Sequence, residues 1–538
     1  MAEKSKIILP DKYYLDYFHY VLDFVEKHYD HILDQPEHLF YQAFRDLSED
    51  AQCLYIRFSN RKGTFFRINK LKYPEIQEVE SSVEELERQG FIRINESEET
   101  DQFKLYTKAE LLSFFPFLNK NQKKEEMLFE LSEEDISGLH AREQVAELLK
   151  TDEVDFIKLL FFGNRYGQMT DFVIRDVGNV KLEKLDESHF KPWFQSRDEA
   201  LGVMHLSQLR RMVREMIEAG MDLQEVVDEL PWQHWLSFPR SKRYAERLIL
   251  ELGEHFERNQ NWEESLQLYS LTKKYPARER KIRILEKTGS SDEAAQLAQM
   301  IVSRPENAAE LTFATDYLNR SGVRINRSMT ERLKKSPIIT LNPNKEINVE
   351  QLALEHLQED GWEGVHAENY LWRSMFGLIF WEEIFDERHG AFHHPLQRQP
   401  SDLNDHSFFE SRETLLVERL DQLDKKERLW EKVAYTHRKK EGLASRFVTW
   451  HEALLPVSEV MIDRLPLEGL KKVMLEVAKN VKTNSTGFPD LFLWKEADYQ
   501  FYEVKSPNDQ LSAQQLFWLN FFQTANINAE VLRISYTD

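Results

Sequence analysis

The stretch from Gly487 to Lys505 constrains this chain more than any other. It runs Gly487-Phe488-Pro489-Asp490, then the apolar Leu491-Phe492-Leu493-Trp494, a polar turn from Lys495 to Asp498, and Tyr502-Glu503-Val504-Lys505. The pattern predicts a strand, a short turn and a second strand, with Asp490 at the head of the first. Side chains alternate faces along a strand, so Glu503 and Lys505 share one face while Val504 turns into the core. Two carboxylates and a lysine then converge at one sheet edge. Hard oxygen ligands of this kind suit Mg²⁺ or Mn²⁺, and an ammonium beside them orients a water or stabilises a charged phosphorane. The competing reading is an exposed hairpin on which Glu503 and Lys505 form a solvated pair.

The rest of the chain has to support that stretch. At 538 residues it has room for three or four domains of the usual ~100–200 residues each. Only 18 glycines and 30% charged residues point to a helix-rich protein. No run of 18 apolar residues is present, so no membrane span is expected. The start, Met1-Ala2-Glu3-Lys4-Ser5-Lys6, lacks an apolar core of the secretory type, and a cytoplasmic location is expected, at the nucleoid if the source is bacterial. One cysteine, Cys53, excludes an intrachain disulfide and any cysteine-based zinc module. A net charge of −22 argues against indiscriminate nucleic-acid binding, but a local basic groove survives because exposed charges are screened beyond ~8 Å.

Residues 11–50 read as aromatic-rich helices. From Leu54 to Tyr73 there are six basic residues and no acidic one. Alternation at Tyr55, Arg57 and at Phe65, Arg67 around Lys62-Gly63 predicts a basic hairpin. A helix through Val83 and Leu86 and the strand Phe91 to Ile94 follow, giving a winged-helix-like surface with Arg57, Arg61, Lys62 and Arg67 as phosphate contacts; a solvated strand face is the alternative. Thr107 caps a helix, and a lysine-bearing turn leads to a second helix, Glu125 to Leu131. This pair resembles a SAP module and adds Lys123 and Lys124. Arg165, Arg175, Arg210 and Arg211 are either further phosphate contacts or ordinary surface arginines.

From about Ala245 the chain is helical and repetitive. Trp262 to Tyr269, closing at Pro276, echoes Ser291 to Ala298, closing at Pro305, with an offset of 29 residues. Such pairs resemble tetratricopeptide repeats and are read as a connector. Ser336-Pro337 to Asn344 reads as a linker. His366-Ala367-Glu368 then precedes a long apolar helix, with Glu368 either a third metal ligand or a capping carboxylate. Lys425 to Arg446 carries eight Lys/Arg against three Glu, densest at Arg438, Lys439 and Lys440. It is either a solvated helix face or a contact to duplex phosphates. Lys471, Lys472, Lys479 and Lys482 extend the basic theme. After the hairpin, Ser512 opens a helix from which Gln515 reaches the site, and a strand from Ala529 to Ile534 completes the sheet.

Phe488-Pro489-Asp490-Leu491, Glu503-Val504-Lys505-Ser506-Pro507-Asn508-Asp509 and Leu511-Ser512-x-x-Gln515-x-x-Trp518-Leu519 together resemble the virus-type replication-repair nuclease (VRR-NUC) domain of the PD-(D/E)xK superfamily. His366-Ala367-Glu368 and the basic stretch at 57–67 are similar to one subgroup, the Fanconi-associated nuclease family. The resemblance implies a multidomain, mainly α fold. Residues 1–105 would be an N-terminal DNA-binding region, 106–240 a SAP-like and helical DNA-binding region, 241–340 tetratricopeptide-like repeats, and 341–538 an α/β nuclease domain with a mixed central sheet. It implies a structure-specific DNA nuclease, cutting 5′ flaps and working 5′-to-3′ from duplex ends or nicks, in interstrand crosslink repair. Carried over by residue, Glu368, Asp490, Glu503 and the Val504 carbonyl would hold one or two Mg²⁺ or Mn²⁺ ions. Lys505 would assist the water and Gln515 would support the acids. Animal members carry a ubiquitin-binding zinc finger that a one-cysteine chain cannot form, so a bacterial-type member is expected, with flapped or branched DNA as partner and protein partners left open. The competitors are a sequence-specific restriction-like endonuclease and a repeat scaffold with an inactive nuclease fold.

Overall fold

A computed structural model describes residues 9–164, 167, 169–177, 180–320, 328–342 and 347–537, without the side chains of 328–331. Arg165, the first residues of the chain and the far end of the expected linker lie outside the described residues. The chain divides into two compact units, Met1–Val180 with Pro192–Ser207, and Lys181–Lys191 with Gln208–Asp538. No helix among the described residues is long and apolar enough to cross a membrane.

The first unit is helical around a small sheet. Helices Tyr13–Tyr29, Gln35–Arg45 and Glu49–Ser59 lead to β1 (Phe65–Arg67), and β2 (Ile92–Ile94) and β3 (Val145–Leu148) complete the sheet in the order β1-β3-β2. The hairpin expected across 54–67 is therefore corrected. Leu54 to Phe58 are helical, and Arg67 of β1 pairs with Val145 rather than with a strand before it. The physical reason is visible in the burial. Ser48 Oγ caps the helix at Ala51 N, and Ala51, Leu54, Tyr55 and Phe58 are buried at helical spacing. The Tyr55/Arg57 alternation is too short to fix a period against that spacing. The boundary expected at 105 falls inside this unit, because β3, which lies beyond it, pairs with β1 and β2, which lie before it. Further along, Thr107 and Glu110 form a capping box, and helices Lys108–Phe114 and Lys124–Glu130 pack through Leu111, Phe115, Leu118 and Met127.

The second unit holds the helical array Pro239–Arg258, Trp262–Ser270, Ala277–Lys287, Ser291–Ser303 and Ala308–Arg320, with each helix packed on the next. Ala294, Ala298 and Ala314 let the backbones approach around Ile282 and Ile301. The array is followed by a five-stranded sheet: β4 (Ile338–Leu341), β5 (Glu363–His366), β6 (Leu491–Lys495), β7 (Asp498–Lys505) and β8 (Ala529–Tyr536). The order is β4-β8-β7-β6-β5, with β4 and β7 parallel to β8 and the remaining pairs antiparallel. The expected linker at 336–344 is thus corrected in part, since Ile338–Leu341 is an edge strand. The sheet has one face against the Val349–Glu359 helix, where Ala353 and Leu354 meet Leu491, Leu493, Val504 and Leu532. On the opposite face, Phe492 and Phe501 stack at 4.7 Å beneath Trp372 and Phe522. Glu503 and Lys505 belong to that second face.

Candidate active site

Asp490, Glu503, Lys505 and Gln515 converge where β6 begins and β7 ends. The antiparallel register sets Leu491 opposite Tyr502, so Asp490 comes level with the end of β7. Asp490 Oδ2 accepts a hydrogen bond from the Val504 N–H at 2.8 Å. Glu503 is 1% exposed and Lys505 8%, which removes the solvated-pair reading. Glu503 Oε1 lies 2.8 Å from Lys505 Nζ and accepts from Gln515 Nε2 at 2.5 Å. Gln515 Oε1 in turn accepts from Ser512 N at 2.9 Å and from Lys505 Nζ at 3.2 Å. The Ser512–Gln515 capping box that starts the Ala513–Thr524 helix thereby fixes the glutamine between acid and amine.

Glu368 arrives from 122 positions upstream through the backbone: the Asp490 carbonyl accepts from Ala367 N at 2.7 Å and Glu368 N at 3.0 Å. Its side chain is exposed, and its φ of +32° lies in the left-handed region, which costs a non-glycine residue about 1–3 kcal/mol. Asn369 ties the two acidic loops together, donating to Glu368 Oε1 at 2.8 Å and accepting from Phe488 N at 3.2 Å. Phe488 stacks on Trp518 at 4.3 Å, and Trp518 Nε1 donates to the Thr486 carbonyl at 2.9 Å. Gly487, at φ +81°, has no room for a side chain, because a Cβ there meets Gln514 Cγ at 2.7 Å.

The electrostatics are those of acids without enough cation. Burial pushes the Asp490 carboxyl up to about 6, with Glu350 acting in the same direction and the Val504 N–H, Lys505 and His366 against it. Burial and then the Asp490 charge push Glu503 up to about 8, opposed by Lys505. Glu503 Oε2 is buried and has no hydrogen-bond partner. Among the described residues no group of three His, Cys, Asp or Glu side chains forms a ready cage. An orphaned oxygen on a carboxyl that also feels the charge of Asp490 still fits a hard divalent cation, which would satisfy it and relieve the repulsion. Glu350, in the first turn of the Val349–Glu359 helix, was missed from sequence; only the packing of that helix on the sheet brings it near.

The expected DNA contacts are not gathered in the same way. Arg57 Nε binds Glu75 at 2.7 Å and its guanidinium lies over Tyr14 at 4.1 Å. Arg67 is 10% exposed between Glu143 at 2.6 Å and Glu110 at 2.8 Å. Both are spent inside the first unit and are corrected to structural roles. Arg61 and Lys62 are exposed beside Gly63, Lys123 is exposed, and Lys124 Nζ donates to the Lys104 carbonyl at 3.0 Å. Arg175 pairs with Asp176 at 2.6 Å. In the second unit, Arg210 Nε binds Glu251 at 2.7 Å, and Arg211, Arg438 and Lys439 are exposed. Lys440 Nζ lies 2.8 Å from Glu183, which also accepts from Trp381 Nε1 at 2.6 Å, so it too is corrected to a structural tie.

A basic cluster of which sequence reading had named only Arg210 and Lys482 lies in the second unit. Burial holds Arg247 below the ordinary arginine range, and the neighbouring charges of Arg243 and Arg210 hold it lower still. Burial lowers Lys274, against Glu246 and with Arg247, Lys482 and Arg243 adding to it. For the members not named from sequence, the one local signal was the spacing of Arg243 and Arg247, four apart on one helix.

A mixed sheet with an acid entering one strand and Glu-x-Lys closing the next defines a nuclease of the PD-(D/E)xK class. Residues 424–535 match the VRR-NUC domain, and residues 12–93 match the domain described as FAN1, HTH. The chain is 30% identical over 526 residues to the Fanconi-associated nuclease 1 homolog of Pseudomonas aeruginosa, covering 95% of this chain and 93% of the relative. It is 35% identical over 195 residues to the Schizosaccharomyces pombe homolog, covering 36% of this chain and 28% of that one. The crystal structure of paFAN1 bound to 2nt 5′ flap DNA with gap superposes with a TM-score of 0.87 at 28% identity, covering 99% of this chain and 100% of that chain. The chain belongs to the Fanconi-associated nuclease family and is a DNA-hydrolysing, metal-dependent nuclease.

Proposed function

We propose that the protein cuts DNA at 5′ flaps and works 5′-to-3′ from ends or nicks, as in the unhooking of interstrand crosslinks. The observation that carries this is the buried Glu503, held between Lys505 and Gln515 with its second oxygen unsatisfied. Asp490, Glu503, the Val504 carbonyl and Glu368 would hold one or two Mg²⁺ or Mn²⁺ ions. When bound, such an ion supplies Lewis-acid polarisation of the phosphate and lowers the pKa of water. Lys505 keeps its ammonium at the acids, oriented by Gln515, where it holds the attacking water and offsets charge on the pentavalent phosphorus. Asn369 keeps the Glu368 and Phe488 loops in register. The cluster of Arg243, Arg247, Lys274 and Lys482, with Arg211, Arg438 and Lys439, would hold duplex phosphates, and Arg61, Lys62 and Lys123 would do so from the first unit. Selection of a branch would follow from where the duplex bends, since phosphate contacts carry no base information.

A panel of labelled flaps, nicks and blunt ends of unrelated sequence, with Mg²⁺ or Mn²⁺, tests the reading. Flaps should be cut regardless of sequence, and Asp490→Ala or Glu503→Ala should lower the rate by about 10³-fold or more while flap binding persists. Cleavage confined to one short sequence would instead favour a restriction-like enzyme. Full activity in both variants would remove these acids from the chemistry.

A further inference from the structure

A second pair of cations is built on the helix that Glu368 opens. The Glu368–Ile379 helix begins at Glu368, and Asn369, which donates to Glu368 Oε1, shares a helical face with Arg373. The two are one turn apart, about 6 Å along the axis. Arg373 donates to the Arg446 carbonyl at 3.3 Å, and the Arg446 guanidinium is aimed by Asn404 Oδ1 at 2.5 Å. The segment carrying Arg446 is locked to the same helix, because Thr449 N donates to Ser374 Oγ at 3.1 Å and Tyr370 packs on His451 at 5.0 Å. Both arginines are partly buried, and neither forms an ion pair with a carboxylate among the described residues. Burial, then the charge of Arg373, holds Arg446 below the ordinary arginine range. Guanidinium stays charged in proteins, so that shift reports two like charges held partly out of water without a counter-ion. Neither residue's packing requires that arrangement, since both hydrogen bonds named here are within the reach of neutral side chains.

We infer that Arg373 and Arg446 bind a backbone phosphate of the DNA strand passing the acids, next to the phosphate that is cut, and so set the position of the scissile bond. The inference rests on the nuclease reading above. A guanidinium pair suits this ligand because each presents a planar fork of donors to phosphate oxygens.

The test uses the full chain and flaps in which one phosphate at a time, on either side of the cut, is replaced by an uncharged methylphosphonate. Wild type should lose about ten- to hundredfold in kcat/KM at one flanking position, the range for losing a charge-assisted hydrogen bond. Arg373→Gln and Arg446→Gln should lose a similar factor on the unmodified flap and little more on the flap with that one replacement. Their cut position should also scatter, and Arg373→Lys should recover part of the loss. If Arg446→Gln melts early for want of its Asn404 contact, Arg446→Lys and Arg373→Gln carry the same comparison. Folded variants that cut within twofold of wild type, or losses that multiply fully at every position, overturn the inference. A wild type that cuts no flap, nick or end overturns the nuclease reading itself, and this inference with it.

Discussion

Glu503 carries the heaviest electrostatic cost at the site, since its carboxyl is almost wholly buried and only one of its oxygens is satisfied. A half-satisfied buried charge stays protonated well above its ordinary range. The sign for stability follows from linkage. A carboxyl whose folded pKa is raised makes a contribution that is intact below its unfolded pKa and is lost as pH rises through the folded one. For Asp490 and Glu503 that window opens near the ordinary 3.8 and 4.5 and closes near about 6 and about 8. Metal-free protein should therefore melt at a falling temperature as pH climbs through the window. A divalent cation competes with the same protons, so the rise in melting temperature on adding Mg²⁺ or Mn²⁺ should grow with pH. Calorimetry in chelator and in excess metal checks both trends; a metal-induced shift that is flat with pH would exclude these two carboxylates as the ligands. The sharing of a face by Glu503 and Lys505 was legible because a strand's period of two leaves no alternative once the strand is granted. Glu350 was not legible, because its place depends on how a whole helix lies on the sheet.

Two local devices aim the acids, and each allows a prediction at the level of the element. The turn before β6 runs through Gly487 in the left-handed region with Gln514 closing the space a Cβ needs. Gly487→Ala should cost about 1–3 kcal/mol, through backbone strain and a forced shift of Gln514, and should lower cleavage more than binding because Asp490 follows three residues on. Urea unfolding and single-turnover cutting separate the two effects. The second device is the Ser512 capping box, whose Gln515 also reaches Glu503 and Lys505. Gln515→Ala should lose about 1 kcal/mol from the cap and about ten- to hundredfold in rate through the loosened acid, and Gln515→Glu should restore the cap but not the rate. The box at Ser512 and that at Thr107 were readable, because capping is written in residues three apart. The segment at 54–67 was misread for the opposite reason. Four residues of alternation are too few to establish a period, and it is the buried Ala51, Leu54 and Phe58, three and four apart, that decide. The edge strand Ile338–Leu341 was lost to the prolines around it, although its partner β8 lies almost two hundred residues away.

On the scale of the whole chain, a net charge of −22 means that attraction to DNA has to come from local groups of cations rather than from the total. Sequence located cations by density, and density misled it: Arg57 and Arg67 sit in the most basic stretch of the first unit, yet each is held by carboxylates remote in sequence. Arg243, Arg247, Lys274 and Lys482 are sparse along the chain and meet only in the fold. Those two groups should separate in a salt titration of flap binding. Each phosphate neutralised adds about 0.9 to the slope of log affinity against log salt on duplex DNA. Replacing Arg243 and Arg247 together with glutamine should flatten that slope by about 1–2 and lower the melting temperature less than Arg67→Ala does, since Arg243 gives up one 3.4 Å pair with the partly exposed Asp405. Arg67→Ala should leave the slope of the folded protein as it is and cost about 2 kcal/mol or more of stability, because it strands Glu143 and Glu110 without their partner. Fluorescence anisotropy from low to moderate salt, beside a melting curve for each variant, reads both quantities. The opposite pattern, a flattened slope for Arg67→Ala and an unchanged one for the double variant, would return the duplex to the first unit and leave the cluster of the second without a ligand.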